Sequence, residues 1–492
     1  MSKDRDKCQF GDFQTPDDLA LSIASLLREK YQVRPRTIIE PSCGKGAFIR
    51  ASLQVFSDAK VLAADINPDY AQQAKHSIFS YANAEAVDIN VSNFFETDWA
   101  STISAQMGHV LIIGNPPWIT SSELSLLNSR NAPIKSNFQN HRGIEAITGS
   151  SNFDISEWML LQYIEWLSSK DGTVATLCKY SVARKVLKRI EQIPSLTRKF
   201  ASYIHLVDAQ AHFNASVESC LFILCNESSV PECAVYNSLR DDQPSHFIGI
   251  RQGTVVNDIE TYERLKHLEG KDIKYTWRSG IKHDCTKVME LSRVGDCFQN
   301  GFKSAHSLES AYLYPLLKSS DVSKGRTHTY RKMAIVTQKN VGADTSIIAT
   351  EAPKTWNYLM KHRGYLEKRK SSVYKGKPPY SIFGVGSYTF KPWKIAISGL
   401  YKTLSFQMVG PLEGKPVVFD DTVNFLSFET EAEAVFIYSI LTSELALNFL
   451  NSIVFWDDKR PITIRVLKRL SLKAAAKELN VLDQYLRWAT AI

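Results

Sequence analysis

The sequence predicts an α/β front half built on a largely parallel sheet, followed by a mixed α+β back half. Three observations predict it. Short β-rich runs alternate with helical patterns as far as Cys225, a polar and turn-rich stretch then ends the alternation, and the charge balance changes across that stretch.

Thr37–Glu40 (TIIE) reads as a strand, and Ala47–Phe56 follows as a helix. Val61–Ile66 is a strand and Pro68–Ser80 a helix whose proline suits a first turn. Ala86–Val91 and Val110–Gly114 (VLIIG) are strands. In Ile155–Leu167 the apolar residues Trp158, Leu161, Tyr163, Ile164 and Leu167 recur at helical spacing. Thr173–Cys178 and Tyr203–Val207 are strands with a basic helix near Ala183–Ile190 between them, and Cys220–Cys225 closes the set. Strands alternating with helices form a sheet covered on both faces, and ligands bind such sheets beyond the carboxyl ends of the strands. The long polar segment Thr120–Asn152 has the length of a binding loop or lid.

Asn226–His246 (NESSVPECAVYNSLRDDQPSH) is the expected boundary, which divides the chain into residues 1–240 and 241–492. Beyond it, apolar runs such as Lys394–Ser398 and Val417–Phe419 are short and lack regular helices between them, and helical periodicity returns at Glu431–Phe449 and Ile464–Leu470. The front part carries 23 basic against 25 acidic residues, the back part 36 against 26, and residues 324–402 alone 16 against 3. A near-neutral front and a basic back point to a polyanionic partner held by the second half.

With 492 residues, 44% apolar and 22% charged, the chain is no disordered tail, collagen-like fibre or disulfide miniprotein. No apolar run approaches the roughly 20 residues that cross a bilayer, and the start, MSKDRDKCQF, lacks the apolar core of a signal peptide. The eight cysteines form no CxxC pair and read as reduced thiols of a cytoplasmic protein.

Three motifs carry chemistry. Glu40-Pro41-Ser42-Cys43-Gly44-Lys45-Gly46 lies between a strand and a helix, where glycines let the backbone turn tightly around a ligand. It lacks the full GxGxxG dinucleotide pattern and the GK[ST] ending of a P-loop. An acid ahead of the glycines repels pyrophosphate but suits a cation, and S-adenosylmethionine carries both an amino group and a sulfonium. Asp65 ends the next strand, where a carboxylate can grip a ribose diol. Asn115-Pro116-Pro117-Trp118 follows the run Val110–Gly114. Two prolines withhold backbone N–H groups and hold the chain extended. The Asn115 side-chain oxygen and the Pro116 carbonyl are two acceptors for the two hydrogens of a planar amine. Pulling on both favours a pyramidal nitrogen with a usable lone pair, and Trp118 offers a flat face to a base.

This order of motifs, with Thr15-Pro16 ahead of them, resembles the Taq-type (gamma motif order) adenine-N6 DNA methyltransferases. The resemblance covers nearly the whole chain, and the Asn-Pro-Pro-aromatic motif is its most specific part. It implies a Rossmann-like S-adenosylmethionine-dependent methyltransferase domain over residues 1–240 and an α+β target-recognition domain over 241–492. It implies a catalytic site of Asn115, Pro116 and Trp118, and cofactor contacts from Thr15, Glu40, Gly44, Gly46 and Asp65. Thr15 is also expected to cap the helix that Pro16 opens. Where the family carries an acid facing the cofactor adenine, this chain has Asn93, whose amide can donate to adenine N1 and accept from its amino group; Glu96 and Asp98 are the alternatives. Phe213 resembles the second aromatic that sandwiches a flipped base against Trp118. In the back half, Tyr380–Lys402 and Phe455–Arg469 resemble recognition segments, with Lys368, Arg369, Lys370, Lys394 and Lys402 as expected DNA contacts. The implied setting is a restriction–modification or defence system with duplex DNA and a separate restriction endonuclease as partners, and neither membrane nor metal. RNA adenine and protein glutamine are further substrates of the same chemistry, and a non-catalytic DNA-binding module is the remaining alternative.

Overall fold

The computed structural model describes residues 13–119, 154–196, 199–226 and 232–490, so the expected loop Thr120–Asn152 lies outside the described residues. The chain divides into two compact units, Met1–Glu260 and Thr261–Ile492.

In the first unit, β1 (Thr37–Glu40), β2 (Lys60–Asp65), β3 (Val87–Val91), β4 (Val110–Gly114) and β5 (Gly172–Lys179) lie parallel in the order β3-β2-β1-β4-β5. β6 (Ala201–Val207) joins them only through β7 (Ser219–Cys225), which runs antiparallel between β5 and β6. Every residue of β1 and β4 is buried, as expected of central parallel strands covered on both faces. The Rossmann-like reading of the front half therefore holds.

The stretch expected to be a boundary is instead part of the sheet. β8 (Cys233–Tyr236), β9 (His246–Arg251) and β10 (Thr254–Val256) extend the edge beyond β6 to make ten strands in all. These strands are short and sit among polar turns, so their apolar residues form no run long enough to stand out.

Helix α1 (Asp17–Glu29) packs Leu19, Ile23 and Leu27 into one core with Phe48 and Leu53 of α2 (Ala47–Val55). The cap of α1 is Pro16 and the helix starts at Asp17, which corrects the expected cap at Thr15. Pro16 is extended there, at φ −61° and ψ 144°, and its carbonyl accepts the Ala20 N–H. Helix α3 (Pro68–Ser77) starts as the sequence implies: Pro68 opens it and the Asn67 side chain accepts the Asp69 N–H at 2.9 Å, a cap worth about 1 kcal/mol. α4 (Trp99–Ser104), α5 (Ile155–Leu167), α6 (Tyr180–Gln192) and the short α7 (Ala209–Phe213) complete the helices that matter for the site.

The second unit is α+β. β11 (Arg278–Ser279), β12 (Trp393–Ser398), β13 (Phe406–Val409) and β14 (Val423–Phe428) form a four-stranded sheet in the order β11-β14-β12-β13. A six-stranded sheet spans residues 290–419. The periodicity over Glu431–Phe449 resolves into two helices, Glu431–Leu441 and Glu444–Ile453, bent by 61° at a break where Ser443 caps the second. Among the described residues no single helix is long and apolar enough to cross a membrane.

Two expected DNA contacts take structural roles here. Lys394 lies in β12 between two neighbouring strands, is 0% exposed, and donates to the Lys391 carbonyl at 2.7 Å. It cannot reach a phosphate. Five of the six β12 positions are buried, so this strand offers no exposed basic face. Arg369 donates to the carbonyls of Leu366 and Ser381, both at 2.7 Å, and its guanidinium lies 3.8 Å from the Tyr374 ring centroid. It staples its own loop together. Lys368, Lys370 and Lys402 are exposed.

Burial pushes the Lys394 ammonium down to about 7. Above that pH the unfolded chain binds the extra proton, so the folded state gains stability as pH rises toward the ordinary lysine range, and the full cost of burying the charge is felt below about 7. Lys394→Met should therefore stabilise the protein, relative to the parent, more at about pH 6 than at about pH 9 in urea unfolding. An equal difference at both pH values refutes the buried-charge account.

Candidate active site

Strand order reverses between β1 and β4, with β2 and β3 on one side and β5 on the other. Loops leaving the carboxyl ends of β1 and β4 therefore diverge, and a crevice opens between them. A cleft of about 680 Å³ occupies that place. Its walls are the loop after β1, the end of β2, Ser92–Phe95 after β3, Asn115 and Pro117 after β4, Phe13–Asp17 ahead of α1, and Ile155 and Met159 of α5.

The loop after β1 depends on two positive-φ glycines. Gly44 (φ +52°) and Gly46 (φ +82°) adopt conformations that cost other residues, and a Cβ on Gly44 would stand 2.6 Å from the Gln14 side-chain oxygen. Asp65 fixes the loop. One carboxylate oxygen accepts the Gly44 N–H at 2.7 Å and the other accepts the Asn67 N–H at 2.8 Å. The same carboxylate lines the cleft. Gln14 closes the opposite wall by accepting the Lys45 N–H at 3.0 Å, while Arg50 donates to the Lys45 carbonyl at 2.8 Å and pairs with Asp17.

Glu40 ends β1 and is 2% exposed. Its Oε2 atom has no hydrogen-bond partner among the described residues. Burial, and then the nearby Asp65 carboxylate, push its carboxyl well above the usual range, with Arg50 pulling the other way. A buried acid with an orphaned oxygen on a cleft wall is matched to a cationic group that would displace its proton.

Thr15 and Asn93 also line the cleft. The Asn93 side chain accepts the Phe95 N–H at 3.1 Å and donates to Glu96 at 3.2 Å. Glu96 is thus turned toward Asn93, and Asp98 caps α4 by accepting the Ser101 N–H. Neither alternative acid lines the cleft.

Asn115 emerges directly from the end of β4. Its amide nitrogen donates to the Phe13 carbonyl at 2.9 Å, and its buried oxygen has no partner among the described residues. Pro117 shares the cleft wall with it. Trp118 turns the other way, is 5% exposed, and packs with Phe13 and Phe213 at centroid distances of 5.3 and 5.2 Å. The structure thus brings Trp118 and Phe213 together, but edge to face at 71°. A base held between two faces needs roughly 7 Å, twice the carbon–carbon contact distance of about 3.5 Å. The expected sandwich is closed on itself, with Phe13 as a third ring.

The sequence reading missed Phe13, Gln14 and Arg50. The first two immediately precede the Thr15-Pro16 motif in FQTP, and that adjacency was the available signal.

The chain is 42% identical over 478 residues to the type II methyltransferase M.NspV of Nostoc sp., a match covering 96% of this chain and 98% of that relative. It is 28% identical over 116 residues to the type II methyltransferase M.CvrRI of Paramecium bursaria Chlorella virus XZ-6E, covering 24% of this chain and 26% of that one. Among solved structures, the type IIL restriction-modification enzyme MmeI, determined in complex with DNA, matches with a TM-score of 0.57 at 12% identity, over 96% of this chain and 68% of that chain. That likeness is one of fold. No protein-family model matches the chain.

Glu40→Gln should weaken S-adenosylmethionine on the order of tenfold to a hundredfold, from the roughly 1.5–3 kcal/mol of a charged hydrogen bond, and leave adenosine binding nearly unchanged. In the parent, affinity for the cationic ligand should fall as pH drops through the raised Glu40 pKa, because the proton must then be displaced. Calorimetry across pH checks both. Equal weakening of both ligands removes Glu40 from the amino-group role.

Proposed function

The chain belongs to the type II methyltransferases, DNA-modifying enzymes that draw on S-adenosylmethionine, and on that footing we propose that it methylates N6 of adenine in duplex DNA after the base leaves the helix. One observation carries the reading: the Asn115 oxygen is a buried acceptor without a partner among the described residues, at the carboxyl end of β4 and on the cleft wall.

The residues present fit the cofactor. Glu40 would offer its orphaned oxygen to the amino group, Asp65 on the cleft wall would take the ribose, Gly44 brings bare backbone to the cleft wall, and Asn93, also on that wall, would take the adenine edge. When bound, the cofactor supplies a methyl group on a sulfonium, open to in-line displacement.

The chain's own task is to make a poor nucleophile usable. The Asn115 oxygen and the Pro116 carbonyl accept the two N6 hydrogens, which withdraws the nitrogen lone pair from the ring. Nitrogen then forms a bond to the methyl carbon, the carbon–sulfur bond breaks, its electron pair stays on sulfur, and the surplus N6 proton passes to water. The Phe13 carbonyl keeps the amide turned so that its oxygen is the free end. Trp118 and Phe213 separate to admit the base between them. The exposed Lys368, Lys370 and Lys402 contribute phosphate contacts from the second unit. The setting is a restriction–modification or similar defence system with a separate endonuclease, in the cytoplasm.

Duplex DNA incubated with methyl-labelled S-adenosylmethionine and digested to nucleosides should carry the label in N6-methyldeoxyadenosine. Label in a methylated cytosine overturns the base assignment, and transfer to RNA alone overturns the substrate. Asn115→Ala should lower the transfer rate on the order of 100- to 1000-fold, the usual cost of one lost polar contact in a transition state, with cofactor affinity nearly intact.

A further inference from the structure

The two prolines that stiffen the Asn115–Trp118 segment also strip it of two backbone donors, so it must be anchored through side chains and carbonyls. Three anchors are present. The Asn115 amide donates to the Phe13 carbonyl, the Ile155 N–H donates to the Ile119 carbonyl at 2.9 Å, and the Lys179 ammonium donates to the Trp118 carbonyl at 3.0 Å. Lys179 is the last residue of β5, adjacent to β4, so its side chain reaches the segment as it leaves the neighbouring strand.

Lys179 is itself held. Its ammonium pairs at 2.7 Å with Asp154, a carboxylate that is 5% exposed. The other Asp154 oxygen accepts the Ser156 N–H at 3.1 Å and the Ser156 hydroxyl at 2.6 Å, which caps α5. A buried carboxylate of this kind demands a charged partner. Asp154 therefore fixes where Lys179 stands, and Lys179 fixes the peptide plane that follows the tryptophan.

We propose that Lys179 is a positioning residue for methyl transfer, setting the Pro116 carbonyl and the Trp118 ring by clamping the Trp118 carbonyl. The role rests on the function proposed above. It acts through the segment and does not itself line the cleft, so it governs turnover and not binding. A displacement of about 1 Å in a reacting group can cost on the order of 100-fold in rate.

Lys179→Met leaves Asp154 unpaired and endangers the fold, so the decisive variant is Lys179→Met combined with Asp154→Asn. Asparagine keeps the helix cap, the buried charge is gone, and the Trp118 carbonyl is still unheld. The expected result is a kcat lower on the order of 100-fold, with KM for duplex DNA and calorimetric affinity for S-adenosylmethionine within about threefold of the parent. Lys179→Arg, which retains a donor, should recover activity to within about tenfold of the parent. If the double variant turns over like an active parent, or if its rate loss is matched by lost cofactor or DNA binding, the positioning role is wrong. If the parent transfers no methyl group to DNA at all, the underlying function falls, and the role with it.

Discussion

Parallel strands all finish at the same edge of their sheet, and the site rests on that constraint. Glu40, Asp65 and Asn115 come from three separate strand ends yet face one cleft, because β1, β2 and β4 run the same way and the order reverses between β1 and β4. Once the ends are gathered, a few polar contacts refine them. Asp65 is the most economical of these: a single carboxylate ties the glycine turn after β1 to the start of α3.

Charge in this protein is placed by burial as much as by sequence. Glu40 and Asp154 are both deeply buried acids, and their situations differ in one respect. Asp154 has a lysine and a helix start to satisfy it, whereas one Glu40 oxygen has nothing among the described residues. An acid with its needs met is architecture; an acid with a need left over, on a cleft wall, is chemically matched to positive charge. The same distinction separates Lys394, enclosed in a central strand, from Lys368 and Lys370 on the surface.

Much of the front half was legible in the sequence because its signals are local. A run such as VLIIG is a strand wherever it sits, and glycines between a strand and a helix announce a turn around something. The strand-end residues follow from the same alternation, since a parallel sheet dictates which end faces the ligand. What was not legible depends on who neighbours whom. Lys179 is 61 positions from the carbonyl it holds, and only the pairing of β4 with β5 brings them together. Lys394 and Arg369 belong to a basic stretch, and composition counts charges without saying where their stems are buried. Strands β8 to β10 were hidden because brief apolar runs inside a polar stretch look like a linker until a sheet edge claims them.

The contact of Phe13, Trp118 and Phe213 makes the enzyme its own placeholder. Three apolar faces that would otherwise meet water cover one another. On the function proposed above, entry of a nucleobase would be an exchange: ring-on-ring attraction of about 0.5–1.5 kcal/mol per pair would be surrendered, and stacking of about 1–3 kcal/mol per base would replace it. The gain is largest for the heterocycle with the broadest face, so a purine would hold an advantage over a pyrimidine before any hydrogen bond inspects its edge. Parting the rings costs the same for either base, so selectivity of that kind comes from the stacking that replaces them.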